Sequence, residues 1–138
     1  MTDHGLLYHL VPHGTWETHK SSKTAYFPPT YEQDGYIHLT KEPAFLLQVA
    51  NHFYTDVPGP WVVLCIDSSK LTSEVKFEPA SVVGNKAPPA DGYGQAGQTE
   101  AAVLFPHLYG TIDFGSVQSE LPVVRDDDGK FVSITGLS

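Results

Sequence analysis

The heptapeptide Trp61-Val62-Val63-Leu64-Cys65-Ile66-Asp67 constrains the fold more than any other stretch of the chain. Its residues are mostly β-branched or aromatic, which suits a pleated backbone. Side chains on a strand alternate between two faces, so an unbroken apolar run calls for cover on both sides. A sheet with one wet face does not meet that demand. The segment therefore reads as an interior strand in a layered fold.

Other elements arrange themselves around it. The run GLLYHLV (5–11) reads as a first buried strand, stopped by Pro12-His13-Gly14. Thr15 is placed to cap a short helix beginning at Trp16. AYFPPTYEQDG (25–35) reads as a loop, because Pro28 and Pro29 lack amide donors and Asp34-Gly35 favours a turn. YIHLT (36–40) follows as a second strand. Thr40 is a candidate N-cap, with Glu42 and Pro43 in the first turn of a helix whose apolar stripe is Leu46, Val49, Ala50 and Phe53. SEVKFEP (73–79) alternates Val75 and Phe77 inward with Lys76 and Glu78 outward. Residues 84–101 are rich in Gly, Pro, Ala and polar residues and show no period, so they read as a flexible loop or insertion. Beyond them VLFPHLYGTI returns to apolar character. GSVQSELPVVR and the final FVSI, joined by the turn DDDGK, read as a hairpin. The expectation is a single α+β domain over 1–138, with about six strands and one or two main helices.

Charge narrows the partners. The chain of 138 residues carries 16 Asp and Glu against 8 Lys and Arg, for a net charge of −8. Its sole arginine is Arg125. Such a surface repels phosphate backbones, so nucleic-acid binding is not expected. No apolar run approaches the roughly 20 residues needed to span a bilayer, so no membrane partner is expected either. With one cysteine, Cys65, an internal disulfide is excluded, which fits a cytoplasmic setting. The N-terminus lacks the features of a secretory signal.

Seven histidines are many for this length. His9 alternates with Leu7 and Val11 and so shares their face; it is either a satisfied core residue or a working one. His38 sits in the same kind of context, between Ile37 and Leu39. His107, in FPHLYG, lies on a rigid aromatic segment that suits the wall of a site. There is no HxH, HExxH or cysteine pair, so no metal is expected. Cys65, inside the most apolar strand, reads as an inert buried thiol. Tyr36, Thr40, Asn51, Tyr109 and the carboxylate Glu78 lie in or near the same motifs. Aromatic faces beside imidazoles suit a flat heterocyclic ligand.

Taken in order, YHL, Trp16, GYIHLT, QVANHFY, VVLCID, VKFEP and FPHLYG resemble the domain of unknown function 952 family over nearly the whole chain, with 84–101 as an insertion. That family is similar in strand order to the ADP-ribosyltransferase-like fold, whose two small sheets split to clamp a dinucleotide. The resemblance implies that His9 binds a ribose hydroxyl. It likens YIHLT to the HLS segment of the RNA 2′-phosphotransferase branch, giving His38 a phosphate or ribose contact, and puts His107 in the third strand's place. That branch grips phosphates with arginines, of which this chain has one, and the late carboxylate of the fold has only Glu78 and Glu100 near its place.

The implied function is a glycosyl or phosphoryl transfer on NAD or a related ribosyl phosphate. His9, His38 and His107 would be catalytic; Tyr36, Thr40, Asn51, Tyr109 and Glu78 would line the ligand. The alternative expectation is a non-catalytic binding module for a nucleotide-like metabolite.

Overall fold

The computed structural model describes residues 5–28, 31–79 and 104–136. Its elements run β1 (Leu6–Pro12), α1 (His13–Ser22), α2 (Tyr31–Asp34), β2 (Ile37–His38), α3 (Leu46–Phe53), β3 (Trp61–Asp67), β4 (Glu74–Pro79), β5 (Leu104–Tyr109), β6 (Val117–Arg125) and β7 (Phe131–Ile134). The strands form two antiparallel sheets, ordered β1-β3-β6-β7 and β2-β5-β4. The stretch 84–101, Glu100 with it, lies outside the described residues.

The double-faced burial demanded by β3 is met by two different layers. Val62, Leu64 and Ile66 point into a core shared with Leu7, Val11, Trp16, Ile37 and Leu108, so this face looks towards α1 and the smaller sheet. Trp61, Val63 and Cys65 point the other way, against Leu46 and Ala50 of α3 and Phe131 of β7. β3 lies between β1 and β6 and is buried over its first six residues. Each fully buried Val, Leu or Ile here contributes about 1.5–3 kcal/mol by leaving water.

Four local readings change. The helix after β1 starts at His13, with Pro12 rather than Thr15 in the cap position, and ends at Lys23 in a left-handed conformation. Its intrinsic propensity is poor, and the buried indole of Trp16 anchors it to the core instead. Within the segment read as a loop, Tyr31–Asp34 closes one helical turn, and Gly35, at φ +83°, reverses the chain. The second strand is only two residues long, because the chain leaves β5 after His38: Leu39 still donates to the Pro106 carbonyl (3.0 Å). Thr40 then exchanges two backbone hydrogen bonds with Tyr8 of β1, each 2.8 Å, and so ties one sheet to the other. Thr40 therefore caps nothing. Glu42 takes that position before a short 3-10 turn with Pro43 at its start, which leads into α3.

Arg125 is committed to the fold. Its guanidinium donates to the carbonyls of Thr55, Val57, Gly59 and Gly129 at 2.7–3.1 Å and lies over the Phe131 ring. Among the described residues no helix is long and apolar enough to cross a membrane.

Candidate functional site

The smaller sheet turns Ile37, Leu108, Val75 and Phe77 towards the core, so alternation puts His38, His107, Tyr109, Lys76 and Glu78 on its other face. His38 and His107 stand directly opposite each other in the β2–β5 ladder, and their rings meet edge to face at 5.5 Å. Directly opposed residues hold their Cβ atoms about 5 Å apart, which is why the rings touch. The short strand is enough to make this pair.

Each imidazole leans on a carboxylate. His38 Nε2 lies 2.8 Å from Asp34 Oδ2, an oxygen delivered by the single turn of α2 and the reversal at Gly35. His107 Nδ1 lies 2.8 Å from Glu78 Oε1, which also accepts from the Tyr109 hydroxyl. A carboxylate accepts only, so the bonded nitrogens carry the protons. In the neutral rings, His38 Nδ1 and His107 Nε2 are then bare. Neither makes a hydrogen bond, and no buried side-chain nitrogen or oxygen among the described residues lacks a partner. Neither atom is wholly sealed, but the His38 side chain is 17% exposed and the His107 side chain only 3%.

Electrostatics agree with that proton placement. Burial lowers the pKa of His38 from 6.5, against the opposing pull of its hydrogen bond to Asp34. Burial does the same to His107, against the bond to Glu78. The hydrogen bonds from Tyr109 and His107 hold the Glu78 carboxyl below its ordinary value, so it is ionised near neutral pH. The same bond pushes the Tyr109 phenol up to about 12, keeping it protonated. Tyr36 completes the group: its ring stacks on His107 at 4.1 Å and 18°, with His38 at 4.8 Å and Tyr109 at 5.3 Å. Lys76 sits over the Tyr109 ring.

His9 occupies a different place. Its Nδ1 donates to the backbone carbonyl of His38 at 2.8 Å, and Tyr26 donates its hydroxyl to Nε2 at 2.7 Å. The carbonyl only accepts, which fixes that tautomer. Burial lowers the His9 pKa to about 4. With both nitrogens engaged, His9 supports the backbone that carries His38 from behind; its exposure of 5% is not lower than the 2% of His107, so hydrogen bonding and not depth sets it apart from that residue. Asn51 is remote from the pair: its amide donates to the Phe131 carbonyl (2.9 Å) and accepts from the Phe131 amide (2.8 Å), pinning α3 to β7. Thr40, 4% exposed, acts through its backbone at the bridge between the sheets.

The structure thus gathers His38, His107, Tyr36, Tyr109 and Glu78, sets His9 behind them, and leaves Asn51 elsewhere. Asp34 and Tyr26 are the partners that sequence reasoning did not single out for these roles. The signal for Asp34 was its spacing of four from His38, which a turn with Gly35 converts into contact. Among the described residues no three His, Cys, Asp or Glu side chains are grouped to hold a metal ion.

Two antiparallel sheets, few helices and an imidazole–carboxylate face define a small α+β protein with a preorganised polar cluster. Residues 10–120 match the family described as "Protein of unknown function (DUF952)", and the chain belongs to that family. It is similar to the crystal structure of protein CC0527 from Caulobacter crescentus, at 22% identity and a TM-score of 0.64, over 92% of this chain and 93% of that one. A double mutant of CC0527 gives the same figures. The solution NMR structure of CC0527 gives 21% identity and a TM-score of 0.59, over 90% of this chain and 89% of that one. At such identities the likeness is one of fold. No curated protein matches the chain.

Proposed function

We propose that this chain is an ADP-ribosyltransferase-like enzyme that breaks the glycosidic bond of NAD or a related ribosyl phosphate. The observation that carries the reading is the opposed pair His38–His107, each imidazole held by a carboxylate through one nitrogen and bare at the other. Atoms of that kind accept hydrogen bonds from ribose hydroxyls and take protons in a transition state. As the bond from the nicotinamide nitrogen to the sugar breaks, its electron pair neutralises the pyridinium and leaves positive charge on the ribose. Asp34 and Glu78, close behind the imidazoles, favour that charge. A water or acceptor hydroxyl then bonds to the sugar carbon, and its proton passes to His107 Nε2, where Glu78 steadies the imidazolium. Tyr36 offers the aromatic surface that fits beside a flat base.

Glycosyl transfer suits this face better than phosphoryl transfer. Arg125 is occupied by four backbone carbonyls, and the cluster itself is acidic. His9 enters as a positioning residue for His38.

The test is nicotinamide release from NAD, followed by chromatography. His38→Gln and His107→Gln should each slow release by about 10²–10⁴-fold, the usual contribution of a general acid or base; His13→Gln, on the surface, should not. If NAD binds saturably but stays intact through long incubation, the transferase reading fails in favour of a binding module. If NAD and ADP-ribose give no heat in calorimetry, both fail.

A further inference from the structure

We propose that His38 and His107 form a two-point site for a borderline divalent transition cation of the Zn2+ class, with His38 Nδ1 and His107 Nε2 as its ligands. The inference stands on the geometry of the two rings and holds whether or not glycosyl transfer does.

The ring spacing fits. An imidazole bound to zinc puts its centre about 3.2 Å from the metal, from a bond of about 2.1 Å plus about 1.1 Å within the ring. Two such rings at a tetrahedral angle of about 109° have centres roughly 5.2 Å apart. The observed separation is 5.5 Å with an interplanar angle of 72°. The proton placement also fits. Metal-binding histidines characteristically donate the other ring N–H to a carboxylate, which fixes the tautomer and raises ligand basicity. Here both do, to Asp34 and Glu78 at 2.8 Å. The two carboxylates also offset the charge of a dication.

Two protein ligands leave the remaining coordination positions to water or to an oxygen of a bound molecule. Imidazole donors select zinc, nickel, copper or cobalt over the hard cations magnesium and calcium, so Mg2+ should not compete. The ion would take the same lone pairs that the proposed transfer uses, making Zn2+ an inhibitor of that reaction.

The experiment is a Zn2+ titration of the full chain, followed by long-range 1H–15N spectra of the imidazoles and by calorimetry. One equivalent should move His38 Nδ1 and His107 Nε2 while the carboxylate-bonded N–H groups persist, and excess Mg2+ should leave the spectra unchanged. In calorimetry, His38→Gln with His107→Gln should weaken one-to-one association at least about 100-fold, and Asp34→Asn about 10-fold. His13→Gln and His19→Gln should leave it unaltered. Stationary resonances at the two named nitrogens would overturn the proposal even if a variant failed to fold. Undiminished binding in the double variant would do the same.

Discussion

His9 and the pair His38–His107 are neighbours, yet the molecule treats them in opposite ways. His9 has both nitrogens engaged, one by a carbonyl and one by a phenol, at 2.8 and 2.7 Å. His38 and His107 each have one nitrogen engaged and one without a hydrogen bond. All three are shifted towards the neutral form by burial, so the protonation state alone does not tell them apart. The number of committed nitrogens does. A fully bonded imidazole is a brace, whereas a half-bonded one keeps an atom for something else.

The largest expected effect tests the brace. His9→Ala removes a buried ring and strands both the Tyr26 hydroxyl and the His38 carbonyl. It should cost about 4 kcal/mol in urea unfolding, from a cavity plus unsatisfied polar groups. His38→Gln, at a half-buried position with one nitrogen that makes no hydrogen bond, should cost no more than about 1 kcal/mol in the same assay. Equal losses would erase the distinction.

Acid should reveal the same asymmetry with a slightly smaller magnitude. The His9 pKa falls from 6.5 to about 4 on folding, so the unfolded chain binds the proton first as pH drops. Its contribution is therefore complete above about pH 6.5 and disappears progressively towards about pH 4, a loss of roughly 3 kcal/mol. His38 and His107 shift in the same direction and add to the slope. Unfolding curves at pH 7 and pH 4.5 should show this dependence in the parent chain and a clearly shallower one in His9→Gln. An identical slope in both would mean that His9 is not the titrating brace.

The smallest effect sharpens the picture at one atom. Tyr26→Phe deletes the donor to His9 Nε2 while keeping the ring that packs edge-on against Trp16, His9 and His19. A loss of about 1–2 kcal/mol is expected, with an upward move of the His9 titration measured by NMR as water reaches the nitrogen. No change in that titration would show that the phenol plays no part in sealing the ring.

How much of this was legible in the sequence depended on range. β3 was readable residue by residue, because burial on both faces leaves an unbroken apolar signature from Trp61 to Ile66. The α3 stripe was readable for the same local reason: Leu46, Ala50 and Phe53 are all buried. β2 was overextended, since nothing in YIHLT announces that Leu39 and Thr40 pass from the smaller sheet to β1. The α2 turn was hidden by the prolines before it. The histidines could be noticed singly, but the partnership of His38 with His107 is a matter of register between strands distant in the chain. Alternation specifies which face each residue takes; it does not say which strand lies alongside. Asn51 shows the converse, since an amide in a polar-looking helix end turned out to fasten the backbone of β7.

The brevity of β2 has a further consequence. Half of the imidazole pair rides on a ladder of two residues, whereas its support in β1 belongs to a seven-residue strand. Beyond that ladder the segment is held by the Leu39–Pro106 bond, the Thr40–Tyr8 exchange and the His9 bond to the His38 carbonyl, so anything that bridges the rings would act as an added rung at the shortest strand of the sheet.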